Sequence, residues 1–159
     1  MPIVQFTVEE SLAWHKLQPS KRCASGVVCI NPEGKMLAIK AVYKDFWSLP
    51  DGITEESESP EKGALRELRE ELGIVLQPEQ VNFGGVAYLP EKEAFLENLY
   101  FIFKAHVSSE IVLTMDKEEV EAVAWLTPQE FRNRVPRRHV HLHLAADIAE
   151  GKFGVYTEG

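Results

Sequence analysis

The sequence predicts an α/β chain, a mixed β-sheet with helices packed on its faces. Three observations carry that prediction. β-rich runs recur along the chain in strand, loop, strand pairs; one strongly capped amphipathic helix follows the first pair; and helix signals gather again near the end. The 159 residues (18.0 kDa) fit one domain spanning 1–159. Apolar residues at 45% and charged residues at 26% match an ordinary globular composition.

Residues 1–21 read as an N-terminal extension, with a short strand-like run at 3–8 and a polar connection at Gln18-Pro19-Ser20-Lys21. Two β-rich runs follow, 23–30 and 36–42. The loop Asn31-Pro32-Glu33-Gly34-Lys35 between them carries turn residues, so a hairpin is expected. Residues 44–54, with Pro50 and Gly52, read as a loop. Ser59-Pro60 then offers an N-cap and a first-turn proline for a helix that runs to Leu72 and stops at Gly73. Val81–Leu89 and 96–107 are rich in Val, Phe and Tyr and form a second strand pair around Pro90, and Val120–Leu126 is a further strand. Thr127-Pro128-Gln129-Glu130 caps a short helix, and Pro136 opens a last one through Ala149, closed by Gly151.

Seventeen basic residues against 25 acidic give a net charge of −8 and a pI near 5.2. Nonspecific attraction to nucleic-acid backbones or anionic membranes is therefore disfavoured, and a phosphorylated substrate needs a cation or a local basic patch. Cys23 and Cys29 are six residues apart on one strand face, too far along it for a disulfide, and are read as reduced thiols. With no signal-peptide pattern in the first ten residues and no run near the about 18 apolar residues of a membrane span, the expected location is cytoplasmic.

The chemistry concentrates on the helix after Ser59. At about 100° per residue, Leu65, Leu68 and Leu72 gather on one side while Glu67, Glu70 and Glu71 gather on another. The i, i+3 and i, i+4 spacing of these carboxylates sets up like-charge repulsion, which a hard divalent cation removes. An all-oxygen donor set suits Mg²⁺ or Mn²⁺ better than zinc. Gly63, one turn before Glu67, leaves room for a ligand, and Arg66 is placed to orient Glu70. The alternative is a solvated acidic face with ordinary intrahelical pairs.

Gly52, five residues, Glu58, seven residues, then Arg66-Glu67-Leu68-Arg69-Glu70-Glu71-Leu72-Gly73-Ile74 resemble the Nudix box, G-x5-E-x7-R-E-U-x-E-E-x-G-U with U aliphatic, at every fixed position. The flanks at Trp47-Ser48-Leu49-Pro50 and at 119–128 are similar to the family as well, and Asp51 departs from it where many members carry glycine. The resemblance implies an α/β/α sandwich around a mixed sheet and hydrolysis of a nucleoside diphosphate linked to another moiety, with Mg²⁺ or Mn²⁺. It implies Glu67, Glu70, Glu71 and the Gly52 carbonyl as metal ligands, Arg66 as their orienting residue and Glu58 as a supporting one. The general base comes from the box, where Glu70 is the catalytic candidate beside Glu67, or from a later glutamate; of Glu118, Glu119 and Glu121, Glu119 is the first choice.

Outside the box, Lys40 is a candidate phosphate contact, and Phe46, Trp47 and Tyr88 are candidates for stacking on a base against the plainer reading of core aromatics. His139 and His143 have metal-pair spacing if helical, but lack a completing ligand and read as a polar helix face. The partner expected is a small-molecule diphosphate, with RNA 5′ ends the one nucleic-acid form in view; no feature marks an oligomer, and a homodimer is compatible with the chain. Within the resemblance, the competing readings are a noncatalytic nucleotide sensor, disfavoured by the intact glutamates, and a diphosphate isomerase, disfavoured because no cysteine motif follows Trp47. Markers of a substrate subfamily are unclear, with Pro90 and Tyr88 deciding nothing.

Overall fold

In the computed structural model of the protein, residues 6–92 and 96–159 are described. The strands are β1 (Arg22–Ile30), β2 (Met36–Ala41), β3 (Asp51–Ile53), β4 (Val81–Leu89), β5 (Asn98–His106), β6 (Val120–Leu126) and β7 (Val155–Glu158). The helices are α1 (Val8–Lys16), α2 (Pro60–Leu72), α3 (Pro128–Asn133) and α4 (Val140–Ala149), with one 3-10 turn at Pro78–Gln80. All seven strands join one sheet in the order β6-β2-β1-β5-β4-β7, with β3 added alongside β1. The β1–β5 and β4–β7 pairs are parallel and the rest antiparallel, so the sheet is mixed as expected.

Both faces of the central strands are covered. On β1, Ala24, Val28 and Ile30 enter one core with Leu142, Ala145 and Ile148 of α4 and Phe131 of α3. Val27 and Cys29 enter the other, with Ala64, Leu68 and Leu72 of α2. Burial on two faces explains why β1 reads as a nearly continuous apolar run. Cys29 lies in the second core as a free thiol, pushed up to about 12 by burial, and Cys23 is free too.

The helix that carries the motif begins and ends where its sequence directs. The Ser59 hydroxyl accepts the Lys62 N–H at 3.3 Å, and Pro60 occupies the first turn. Gly73 closes it with φ +69°, donating to the Arg69 carbonyl at 2.8 Å. A Cβ at position 73 would stand 2.9 Å from Thr114 Cβ. Gly73→Ala therefore meets both backbone strain and a clash, and is expected to lower unfolding free energy by about 1–2 kcal/mol, read from urea midpoints.

Four expectations need correction. Half of the strand-like reading of 3–8 lies outside the described residues, and its end, Val8, opens α1. There the Thr7 hydroxyl accepts the Glu10 N–H and Glu10 accepts the Thr7 N–H at 2.8 Å, a capping box that the polar composition hid. The hairpin of the first two strands pairs only at Ile30 and Met36. Below that point β1 and β2 diverge, and the supposed loop 44–54 fills the fork: Ile39 and Ser48 exchange backbone bonds at 2.9 and 2.8 Å, and β3 pairs with residues 24–26 of β1. Pro136 does not begin the last helix, which starts at Val140 after a turn in which His139 N–H bonds the Pro136 carbonyl. The short β7, next to β4, carried too few residues for its alternation to register.

Candidate active site

The fork between β1 and β2 brings β3 under α2, and this contact builds the site. Because α2 docks through Ala64, Leu68 and Leu72, the flank carrying Glu67 and Glu71 faces the start of β3. Glu71 is 3% exposed, and its Oε2 accepts the Asp51 N–H at 3.1 Å. The Glu67 carboxylate lies over Gly52, where a Cβ would come 2.1 Å from Oε1. Glycine at 52 is thus a requirement of the close approach of an acid to the backbone.

Arg66 is the hub. Its Nε and Nη2 donate to Glu58 at 2.9 and 3.1 Å, and Nη1 donates to Glu67 at 2.7 Å and Glu70 at 3.1 Å. Nη2 also reaches the Ile53 carbonyl at 3.1 Å, tying helix to strand. Glu58 accepts the Glu55 N–H at 2.9 Å besides, so the supporting residue fixes both the guanidinium and the loop. The Arg66 hydrogen bonds hold the Glu58 carboxyl below its ordinary range.

The charges on the other side are not matched. Burial, then the carboxylates of Asp51 and Glu67, push Glu71 up to about 9. Burial raises Glu67 as well, against the pull of Arg66. The donors offered are all carboxylate oxygens, with Glu71 buried, Glu67 half-buried and Glu70 exposed, and this chemistry fits Mg²⁺ or Mn²⁺. Among the described residues, no three acidic, histidine or cysteine side chains are gathered closely enough to hold one ion as they stand. As they stand, Glu67 and Glu70 are both ion-paired to Arg66, at 2.7 and 3.1 Å.

Asp51, seen in the sequence only as a departure, proves central. Its carboxylate accepts the Tyr100 hydroxyl at 2.5 Å and the Lys44 ammonium at 3.3 Å, and Lys44 also reaches Ser48 Oγ at 3.3 Å. Burial works against the Lys44 charge, but Asp51, Tyr43 and Glu71 together outweigh it and leave the ammonium pKa raised. The Tyr100 ring packs 4.5 Å from that of His141, whose imidazole burial drives down to about 4. Tyr100 comes from β5, 49 residues from Asp51, with no local signal to connect them.

Glu119 is exposed in the turn before β6; its carbonyl accepts the Val42 N–H at 2.9 Å and its N–H bonds the Asp116 carbonyl at 3.1 Å. Asp116 N–H in turn bonds the Glu71 carbonyl at 2.9 Å, so this turn rests on the end of α2 that bears the site. The other expected positions are engaged elsewhere. Gly63 does not open space over the carboxylates: a Cβ there would meet Thr54 Cγ2 at 2.9 Å, Glu58 Oε2 at 3.0 Å and Ser25 Oγ at 3.1 Å, so its role is close packing of α2 on the sheet. Lys40 pairs with Glu121 of β6 at 3.1 Å. Phe46 stacks on His139 at 4.2 Å, Trp47 lies under the Arg134 guanidinium at 5.5 Å, and the Tyr88 hydroxyl bonds Glu97. His143 Nε2 lies 3.3 Å from the Pro136 carbonyl, and His139 precedes α4 rather than sharing its face.

Comparison with known proteins bears on the family and the fold. The "MutT-like protein" of Streptomyces ambofaciens is 33% identical over 111 residues, 70% of this chain and 66% of that protein. The "RNA pyrophosphohydrolase" of Hydrogenovibrio crunogenus is 40% identical over 60 residues, 38% of this chain and 35% of that protein. The chain thus spans about a third to two-thirds of the length of these curated relatives. Among solved structures, the NUDIX domain of Shewanella oneidensis NrtR complexed with ADP ribose superposes with a TM-score of 0.69 at 20% identity, covering 89% of this chain and 97% of that one. That likeness concerns the fold. The family model for the NUDIX domain matches residues 20–147, which take in the whole of β1 to α3, the Arg66 hub and the glutamates of α2, and the chain belongs to that family.

Proposed function

We propose that this chain is a metal-dependent pyrophosphohydrolase that cleaves a diphosphate linkage in a substrate of the type nucleoside diphosphate joined to another group. The observation that carries the reading is the Glu71 carboxylate, buried to 3% exposure on the motif helix and accepting the Asp51 N–H. An ordinary solvated acidic helix face would not sink one of its glutamates to 3% exposure. The names of the curated relatives support the same reaction class, and the substrate could be a nucleotide, a nucleotide sugar, a dinucleoside polyphosphate or an RNA 5′ end.

In this reading Glu67, Glu70 and Glu71, with the Gly52 carbonyl, hold Mg²⁺ or Mn²⁺. An ion bound there would supply positive charge to the diphosphate oxygens and lower the pKa of the attacking water. Arg66 keeps Glu67 and Glu70 from swinging out of the site, and Glu58 keeps Arg66. Glu119 is the proton acceptor outside the helix; what supports it is its exposure and its turn's bond to the end of α2.

The test is phosphate release, with coupled pyrophosphatase and phosphatase, over a panel of nucleoside triphosphates, ADP-ribose, nucleotide sugars and dinucleoside polyphosphates. Turnover that needs Mg²⁺ or Mn²⁺ and stops with chelator is expected. Nucleotide binding without turnover in either metal would instead favour the sensor reading.

A further inference from the structure

The Glu71 carboxylate accepts a backbone hydrogen bond from a residue whose side chain is held by a different strand. Asp51 N–H donates to Glu71 Oε2, and the carboxylate of the same residue accepts from Lys44 and from Tyr100, which lies in the core shared with α4. Three constraints fix this peptide. Asp51 sits opposite Gly26 in the β1–β3 pairing, the Pro50 carbonyl before it accepts the Val27 N–H at 3.3 Å, and the carboxylate is only 11% exposed. The anchor is equally fixed: Tyr100 is 4% exposed, lies opposite Ala24 and Ala87 on its neighbouring strands, and packs against His141. Its hydroxyl would be 2.8 Å from a Cβ at position 26, so glycine there leaves the gap through which the phenol meets Asp51.

Beside the acids of α2, the Asp51 carboxylate is offset by the Lys44 ammonium and held by the Tyr100 hydroxyl. We infer that Asp51 and Tyr100 are positioning residues: the Tyr100 hydroxyl anchors the Asp51 carboxylate, and the Asp51 N–H thereby holds Glu71 in the orientation from which it takes a divalent cation. This rests on the metal reading proposed above. Tyr100 contributes no charge and touches no proposed ligand, so its effect passes through Asp51.

The experiment is a Mn²⁺ titration of the metal-stripped protein without substrate, free Mn²⁺ being read by electron paramagnetic resonance, alongside thermal melting with chelator. Tyr100→Phe keeps the ring and every charge while removing the anchor; its Mn²⁺ dissociation constant is expected to rise about tenfold or more. Where that variant folds poorly, Asp51→Asn is compared with Asp51→Ala: both remove the same charge, but only asparagine keeps an oxygen for the Tyr100 hydroxyl, so weaker Mn²⁺ binding in the alanine variant is expected. Mn²⁺ affinity of Tyr100→Phe within about twofold of the wild type, equal affinities in the two Asp51 variants, or a lowered melting temperature with unchanged affinity, overturns the positioning role alone. A wild-type chain that binds no Mn²⁺ overturns it together with the metal reading.

Discussion

Replacing Glu71 by glutamine is expected to lower metal-dependent turnover by about a hundredfold or more, the loss of about 3 kcal/mol from one charged ligand at a reacting diphosphate. The fold should persist, since glutamine keeps the volume and an oxygen to accept the Asp51 N–H. The same substitution should change how stability depends on pH. With the Glu71 carboxyl raised from 4.5 to about 9, the folded chain free of metal binds more protons than the unfolded chain between those values. Its contribution is fully present below pH 4.5 and is lost as pH rises towards 9, with a slope of up to about 1.4 kcal/mol per pH unit. Urea midpoints with chelator at pH 5.5 and 8.5 should therefore fall for the wild type, and fall less for Glu71→Gln. Full activity in the variant, with the same pH slope as the wild type, would show that Glu71 neither binds metal nor carries the surplus charge.

Arg66→Ala should have the next largest effect, on both stability and activity. The guanidinium joins Glu58, Glu67 and Glu70, and the Glu58 and Glu67 side chains are each only 14% exposed. Truncation leaves these sheltered carboxylates facing one another and cuts the tie to the Ile53 carbonyl, at an expected cost of about 2 kcal/mol. Turnover should fall roughly a hundredfold because Glu67 and Glu70 lose the group that aims them. Arg66→Lys should recover stability better than activity, since one ammonium restores charge without reaching three acids at once. Melting temperature and kcat on the preferred diphosphate, measured together for both variants, test this; equal recovery of both by lysine would reduce Arg66 to a charge.

Much of this was legible in the chain because the relevant interactions are local. Ser59, Pro60 and Gly73 bound α2 through contacts within four residues, and the spacing of Gly52, Glu58, Arg66, Glu67, Glu70 and Glu71 marks the candidate site in the sequence itself. The same locality explains α3, where Thr127 and Glu130 cap each other. Other local signals were outweighed. The capping box of α1 stands on a helix with no buried residue, so no apolar stripe drew attention to it. Gly63 looked like room for a ligand because a helical wheel contains only its own helix, whereas Thr54 and Ser25 occupy that room from β1 and the loop after β3.

The sequence by itself determined the fold class, the motif helix, its caps and the acids that face the proposed ion. Tertiary structure alone decided how those acids are held. The parallel pairing of β1 with β5 sets Tyr100 opposite Ala24, the divergence of β1 and β2 admits β3, and together they bring the Tyr100 hydroxyl to Asp51 and the Asp51 N–H to Glu71. Periodicity and propensity report only what a residue's neighbours in the chain impose. A hydrogen bond spanning 49 residues arises from strand order and register, which follow from the burial of both sheet faces at once.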